Sequence, residues 1–138
     1  MTDNAAAARL GTVIFLCLPD EDIEPVASRL ARSRVEWSGK TVFHTSGLLP
    51  SRVLEPLQKR GAIIASFHPG QAFPSKKTRP SHFRGITFGL EGDKKALVVA
   101  GGLVCQIGGR ALVIPEEAKP FYHAAFSFAG NFLVILLD

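Results

Sequence analysis

Residues 12–18 read TVIFLCL, an apolar, β-rich run closed by Pro19 and Asp20. A run this short and this apolar predicts a strand covered on both faces, as strands are in parallel sheets. Such a strand needs helices packed against it, and the sequence supplies them. In EDIEPVASRLARS, from Glu21, the residues Ile23, Val26, Ala27 and Leu30 fall at helical spacing. Acids occupy its first turn and arginines its last, which suits the helix dipole. Pro25 is tolerated there only near the first turn.

The alternation continues. KTVFHTS predicts a second strand after Gly39, and LLPSRVLEPLQKRG a helix with Val53, Leu54 and Leu57 inward and Gly61 as its stop. AIIASFH predicts a third strand, ended by Pro69 and Gly70, and residues 72–85 a long polar loop. ITFGLEG, DKKALVVAGGLVCQIGG and RALVIP follow as strand, helix and strand. Residues 116–138 are largely apolar and are expected to be helical. Strands alternating with helices of about a dozen residues predict right-handed β-α-β units in an α/β fold: three layers, a mostly parallel sheet and an apolar C-terminal helix.

The 138 residues suit one compact unit and contain no repeat or low-complexity segment. The net charge of +4 is carried by scattered lysines and arginines without a long basic block, which gives no nucleic-acid footprint. Cys17 and Cys105 lie in apolar runs without a CxxC partner and are expected to be buried, reduced thiols. No signal-peptide pattern opens the sequence and no apolar run is long enough for a membrane span, so a cytoplasmic protein is expected.

Ligands of open α/β sheets bind beyond the carboxyl ends of the strands. Three such ends are chemically rich here: Leu18-Pro19-Asp20, His44-Thr45-Ser46-Gly47 and His68-Pro69-Gly70-Gln71. If the strands are parallel neighbours, all three face one crevice. Ser46 is expected to cap the following helix, and a helix N-terminus also receives anions. Asp20 reads as an N-cap, and His123 either as a bonded core histidine or as a group offered to substrate from the last helix. The sequence contains no GxGxxG, P-loop, HExxH or GxSxG motif. Ser46, His44 and Asp20 leave a hydrolytic triad open, and His44, His68 and His123 a zinc site, although none has a short ligand spacing. No metal is expected.

VIFLCLPDEDIEPVASRL, VFHTSGLLPSRVLEPLQKRGA, SFHPGQAF, GITFGLEGD and YHAAFSFAGNFLVILL, in this order, resemble the Rossmann-like proteins that carry a DUF2520 domain. These are NAD(P)-binding oxidoreductases of the 6-phosphogluconate dehydrogenase-like and pyrroline-5-carboxylate reductase-like group. The resemblance implies a partial Rossmann-like domain over residues 11–115 and the start of a helical region over 116–138. It implies NADP or NAD as cofactor, with Leu18, Pro19, Asp20, Thr45, Ser46 and Gly47 on the cofactor side. His44, His68 and His123 are its candidate catalytic residues, with Pro69, Tyr122 and Asn131 nearby. Such proteins open with a strand-GxGxxG-helix unit, and this chain begins near their fourth strand. The resemblance therefore also predicts an exposed sheet edge beside residues 12–18, and with it a homo-oligomer formed through that edge or through the apolar last helix. A non-catalytic assembly or ligand-binding module is the competing expectation.

Overall fold

A computed structural model describes residues 4–71 and 79–129. It contains a five-stranded sheet in the order β1-β2-β3-β4-β5, formed by Val13–Leu16, Thr41–His44, Ile63–Pro69, Thr87–Gly92 and Arg110–Val113. β1, β2 and β3 run parallel, β4 is antiparallel to β3, and β5 is parallel to β4. The helices are α1 (Asn4–Leu10), α2 (Asp20–Ala31), α3 (Glu55–Gln58), α4 (Lys94–Gln106) and α5 (Lys119–Ser127).

Side chains alternate across a strand, so each sheet face collects its own core. On one face α2 and α3 bury Leu16, Ile23, Leu30, Trp37, Val42, Leu57 and Ile64. On the other, Phe43, Ala65, Phe67, Phe88 and Leu90 meet Ala96, Ala100 and Val104 of α4, one stripe at i, i+4 and i+8. The expected three-layer, mostly parallel α/β sheet is thus present.

Several local expectations are corrected. β1 is not covered on both faces: Val13 is 38% and Phe15 40% exposed. β1 lies at the edge of the sheet beside β2, and α4 packs mainly over β3, β4 and β5. Cys17 and Cys105 are both exposed rather than buried. Cys17 follows this uncovered strand, and Cys105 lies next to the inward stripe of α4. The helix expected over residues 48–61 is a 3-10 turn, Ser51–Leu54, followed by the single α turn of α3. Pro50 and Pro56 prevent a longer run, since each lacks the N–H an interior helical position donates. Pro25 sits inside α2, beyond its first turn. α1, which carries no marked hydrophobic periodicity, buries Ala8, and the Lys40 ammonium donates to the carbonyls of Arg9 and Gly11 at its C-terminal end. Among the described residues, no helix is long and apolar enough to cross a membrane.

Candidate active site at the strand tips

The three chemically rich segments end at the same side of the sheet, because β1, β2 and β3 are adjacent and parallel. The register sets a transverse row, Leu16–His44–Ser66–Glu91, with His68 opposite Gly89 one step further out. Three of the four residues in that row are polar and buried.

α5 closes over this row by seating side chains on glycines. A Cβ added to Gly47 would lie 2.7 Å from His123 Nδ1 and 2.8 Å from His68 Nε2. One added to Gly89 would lie 2.5 Å from the Tyr122 hydroxyl, and Gly70 faces the Phe126 ring in the same way. Residues 119, 122, 123 and 126 form one helical face, so a single face of α5 carries every contact. The antiparallel turn of β4 makes this possible, since it brings Gly89 beside His68.

His68 Nδ1 lies 2.9 Å from the Tyr122 hydroxyl, with the two rings edge to face. Burial, the Lys119 charge and His123 push the His68 imidazole down to about 4, against a smaller upward pull from Asp20. Burial pushes the Tyr122 phenol up to about 12, and a backbone hydrogen bond with Gly89 offsets part of that. The phenol is therefore protonated and the imidazole neutral over the ordinary pH range, so the phenol donates. His68 then carries its proton on Nε2, toward Gly47 and His123. His123 Nδ1 is enclosed and has no hydrogen-bond partner among the described residues.

His44 is placed differently. It is fully buried, and its Nδ1 accepts the Ser46 N–H at 3.2 Å. That bond leaves the proton on Nε2. Burial and the Lys119 charge push its imidazole down to about 4, partly opposed by the Pro50 carbonyl. His44 lies within the buried transverse row, with none of its surface exposed.

The cofactor-side residues divide between the two faces. Asp20 is not an N-cap; Pro19 holds that position, and the Asp20 carboxylate accepts the Ser46 hydroxyl at 2.9 Å. Ser46 Oγ in turn accepts the N–H groups of Leu48 and Leu49, capping the turn after β2. Leu18 packs partly buried against the α2 core. Thr45 points to the other face, into an apolar groove of about 480 Å³ with Phe15, Cys17 and Phe67. Asn131 lies outside the described residues. Among the described residues, no group of three or more histidines, cysteines or acids is placed to hold a metal ion.

Three residues of the site escaped sequence reasoning. Lys119 is 1% exposed; its ammonium donates to Ser66 Oγ at 2.6 Å and approaches the Ser46 carbonyl at 3.4 Å. Ser66 Oγ also donates to that carbonyl, at 3.1 Å. The buried Glu91 carboxylate accepts the Ser51 N–H at 2.6 Å and the Ser51 hydroxyl at 2.7 Å, fixing the far end of the same loop. The available signal for Glu91 was a lone charge in the apolar run ITFGLEG; Lys119, beside Glu116 and Glu117, gave none.

Parallel strands whose tips converge on hydrogen-bonding side chains beneath a covering helix define an α/β domain of Rossmann type. The chain belongs to the Rossmann-like family: the Rossmann-like domain model matches residues 1–69, and a domain of unknown function, DUF2520, matches residues 86–138. No curated protein matches the sequence. A solved structure from Thermotoga maritima is similar at 35% identity and TM-score 0.70, over 88% of this chain and 44% of that one. Synechocystis arogenate dehydrogenase is similar in fold at 14% identity and TM-score 0.69, over 86% of this chain and 44% of that one. So is a reductive aminase from Aspergillus terreus, solved with NADPH and ethyl levulinate, at 19% identity and TM-score 0.62, over 91% of this chain and 43% of that one. The chain thus spans less than half the length of the solved structures it resembles.

Proposed function

We propose that this chain is the substrate-facing part of an NAD(P)-dependent oxidoreductase, acting at a carbonyl or imine. The observation that carries the reading is the Tyr122–His68 pair, set with His123 over Gly47 where three parallel strands end. The solved structures of similar fold include dehydrogenases and an NADPH-bound reductive aminase.

The strand-tip residues suit one end of the cofactor only. Asp20, Glu21 and Asp22 fill the first turn of α2 and would repel a phosphate there. The neighbouring Leu18, Pro19, Thr45, Ser46 and Gly47 offer uncharged surface, hydroxyls and backbone, which fit the nicotinamide and its ribose. Bound NAD(P)H would supply the hydride. The chain's residues supply the rest: His68, neutral, presents Nε2–H as a hydrogen-bond donor to the substrate oxygen or nitrogen, and Tyr122 fixes that tautomer. His123 Nδ1, without a partner, is the ring nitrogen placed to exchange the accompanying proton. His44 supports the β2 tip from beneath.

Titration with NADPH and with NADH tests this. A bound nucleotide raises the melting temperature by mass action and alters nicotinamide fluorescence. Neither effect, at millimolar nucleotide, would remove the reading for this chain.

A second reading rests on the half-exposed Val13 and Phe15 of the edge strand β1. An apolar, unpaired edge recruits another strand, so we propose that copies of this chain associate there. A monomer by sedimentation at tens of micromolar would refute it.

A further inference from the structure

A lysine with 1% of its surface exposed has lost nearly all its hydration, which is costly unless partners replace it. Lys119 finds them on every element around it. Ser66 on β3 and the Ser46 carbonyl after β2 take its hydrogen bonds. Glu91 on β4 and Asp20 on α2 supply negative charge. His44 on β2 and His68 on β3 feel its positive charge, and Tyr122 and His123 follow it on α5 itself. Burial pushes the ammonium down to about 8, with Glu91 and Asp20 pulling upward, so it stays charged at neutral pH.

We propose that Lys119 is a positioning residue: it pins α5 to the tips of β2 and β3, and its buried charge holds His68 as a neutral acceptor of the Tyr122 hydroxyl. The electrostatics follow from placement. Burial disfavours a second proton on His68 first, and the Lys119 ammonium, bonded to Ser66 two residues earlier on β3, adds to that in a medium that screens poorly. His68 Nδ1 therefore keeps its lone pair, the phenol donates into it, and Nε2–H stays aimed at Gly47 and His123. The consequence for chemistry rests on the reading of His68 given under Proposed function; the protonation state itself does not.

Nitrogen-detected NMR of the histidine rings tests the proposal without any cofactor. In the unaltered chain at about pH 5, where a free imidazole is mostly charged, His68 is expected neutral with its proton on Nε2. Lys119→Met keeps the length of the side chain and removes the charge; His68 should then take up its second proton roughly one pH unit higher, the lower end of a like-charge effect at close range. Ser66→Ala removes the hydrogen bond but keeps the charge, and should leave His68 neutral. A doubly protonated His68, or one protonated on Nδ1, in the unaltered chain overturns the proposal even if Lys119→Met does not fold. Equal shifts in the two variants also overturn it, because that pattern is what a purely mechanical role gives. Failure to bind NADPH would remove the oxidoreductase reading and leave these titrations unchanged.

Discussion

Gly47→Ala tests whether α5 is seated as tightly as the structure has it. The added methyl would meet His123 Nδ1 at 2.7 Å, His68 Nε2 at 2.8 Å and His68 Cε1 at 2.9 Å, where ordinary contact begins at 3.4 Å. These are ring atoms anchored to a strand and a helix, not the free ends of flexible chains, so relief requires α5 to move. Forcing a methylene into a packed site costs typically 1–3 kcal/mol. At about 2 kcal/mol the ratio of folded to unfolded chain falls roughly 30-fold, and the melting temperature drops by about 8 °C at roughly 4 °C per kcal/mol for a chain of this size. Thermal unfolding by circular dichroism reads this directly, and NMR contacts between Tyr122 and His68 report whether α5 stays in place. Gly101→Ala and Gly102→Ala are the controls: both lie inside α4 with nothing within 4 Å of the new methyl. Each should raise stability by roughly 0.5–1 kcal/mol, because alanine loses less backbone entropy in a helix. A Gly47→Ala protein melting within about 1 °C of the parent, a change under roughly 0.3 kcal/mol, with the Tyr122–His68 contact intact would refute the close approach.

Other outcomes follow from the same packing. Glu91→Ala should cost about 2–3 kcal/mol in urea unfolding, since it strands the Ser51 N–H and hydroxyl in a buried setting; a cost under about 0.5 kcal/mol, the ordinary range of a surface change, would mean water replaces the carboxylate. Trp37→Ala should cost about 3–5 kcal/mol, because its side chain is fully buried beside Val42 and Leu57. Stability should fall as pH drops from 6.5 to 4. The fully buried His44 holds its imidazole at about 4 against 6.5 unfolded, so the unfolded chain binds the extra proton first. That difference is worth about 3 kcal/mol, and His68 acts in the same direction. A urea midpoint unchanged between pH 7 and 4 would contradict both placements.

The sheet was legible because its strands announce themselves: apolar runs such as IIAS and TVF are punctuated by Gly39, Gly61 and Pro69. Tip residues after parallel strands were legible for the same reason, since order and direction alone bring Asp20, Ser46 and His68 together. What the sequence hid was facing. Thr45 and Ser46 are neighbours in the chain, yet one lines the apolar groove and the other bonds Asp20. Period-2 alternation dictates that split, but only once the last residue of β2 is known. His44 was one of three candidate catalytic histidines and is buried because it shares a face with Val42. Lys119 was missed because a lysine near the start of a helix ordinarily faces water. Of its two counter-charges, Asp20 and Glu91, the second comes from β4, whose antiparallel direction no local pattern marks.

Gly47 and Gly70 follow β2 and β3, Gly89 lies within β4, and α5 rests a ring on each. A lid hinged at one point can tilt; a bar resting in three separate notches cannot, because rolling off one drives it into another. Separation of α5 from the sheet must therefore break all three contacts together, in a single motion.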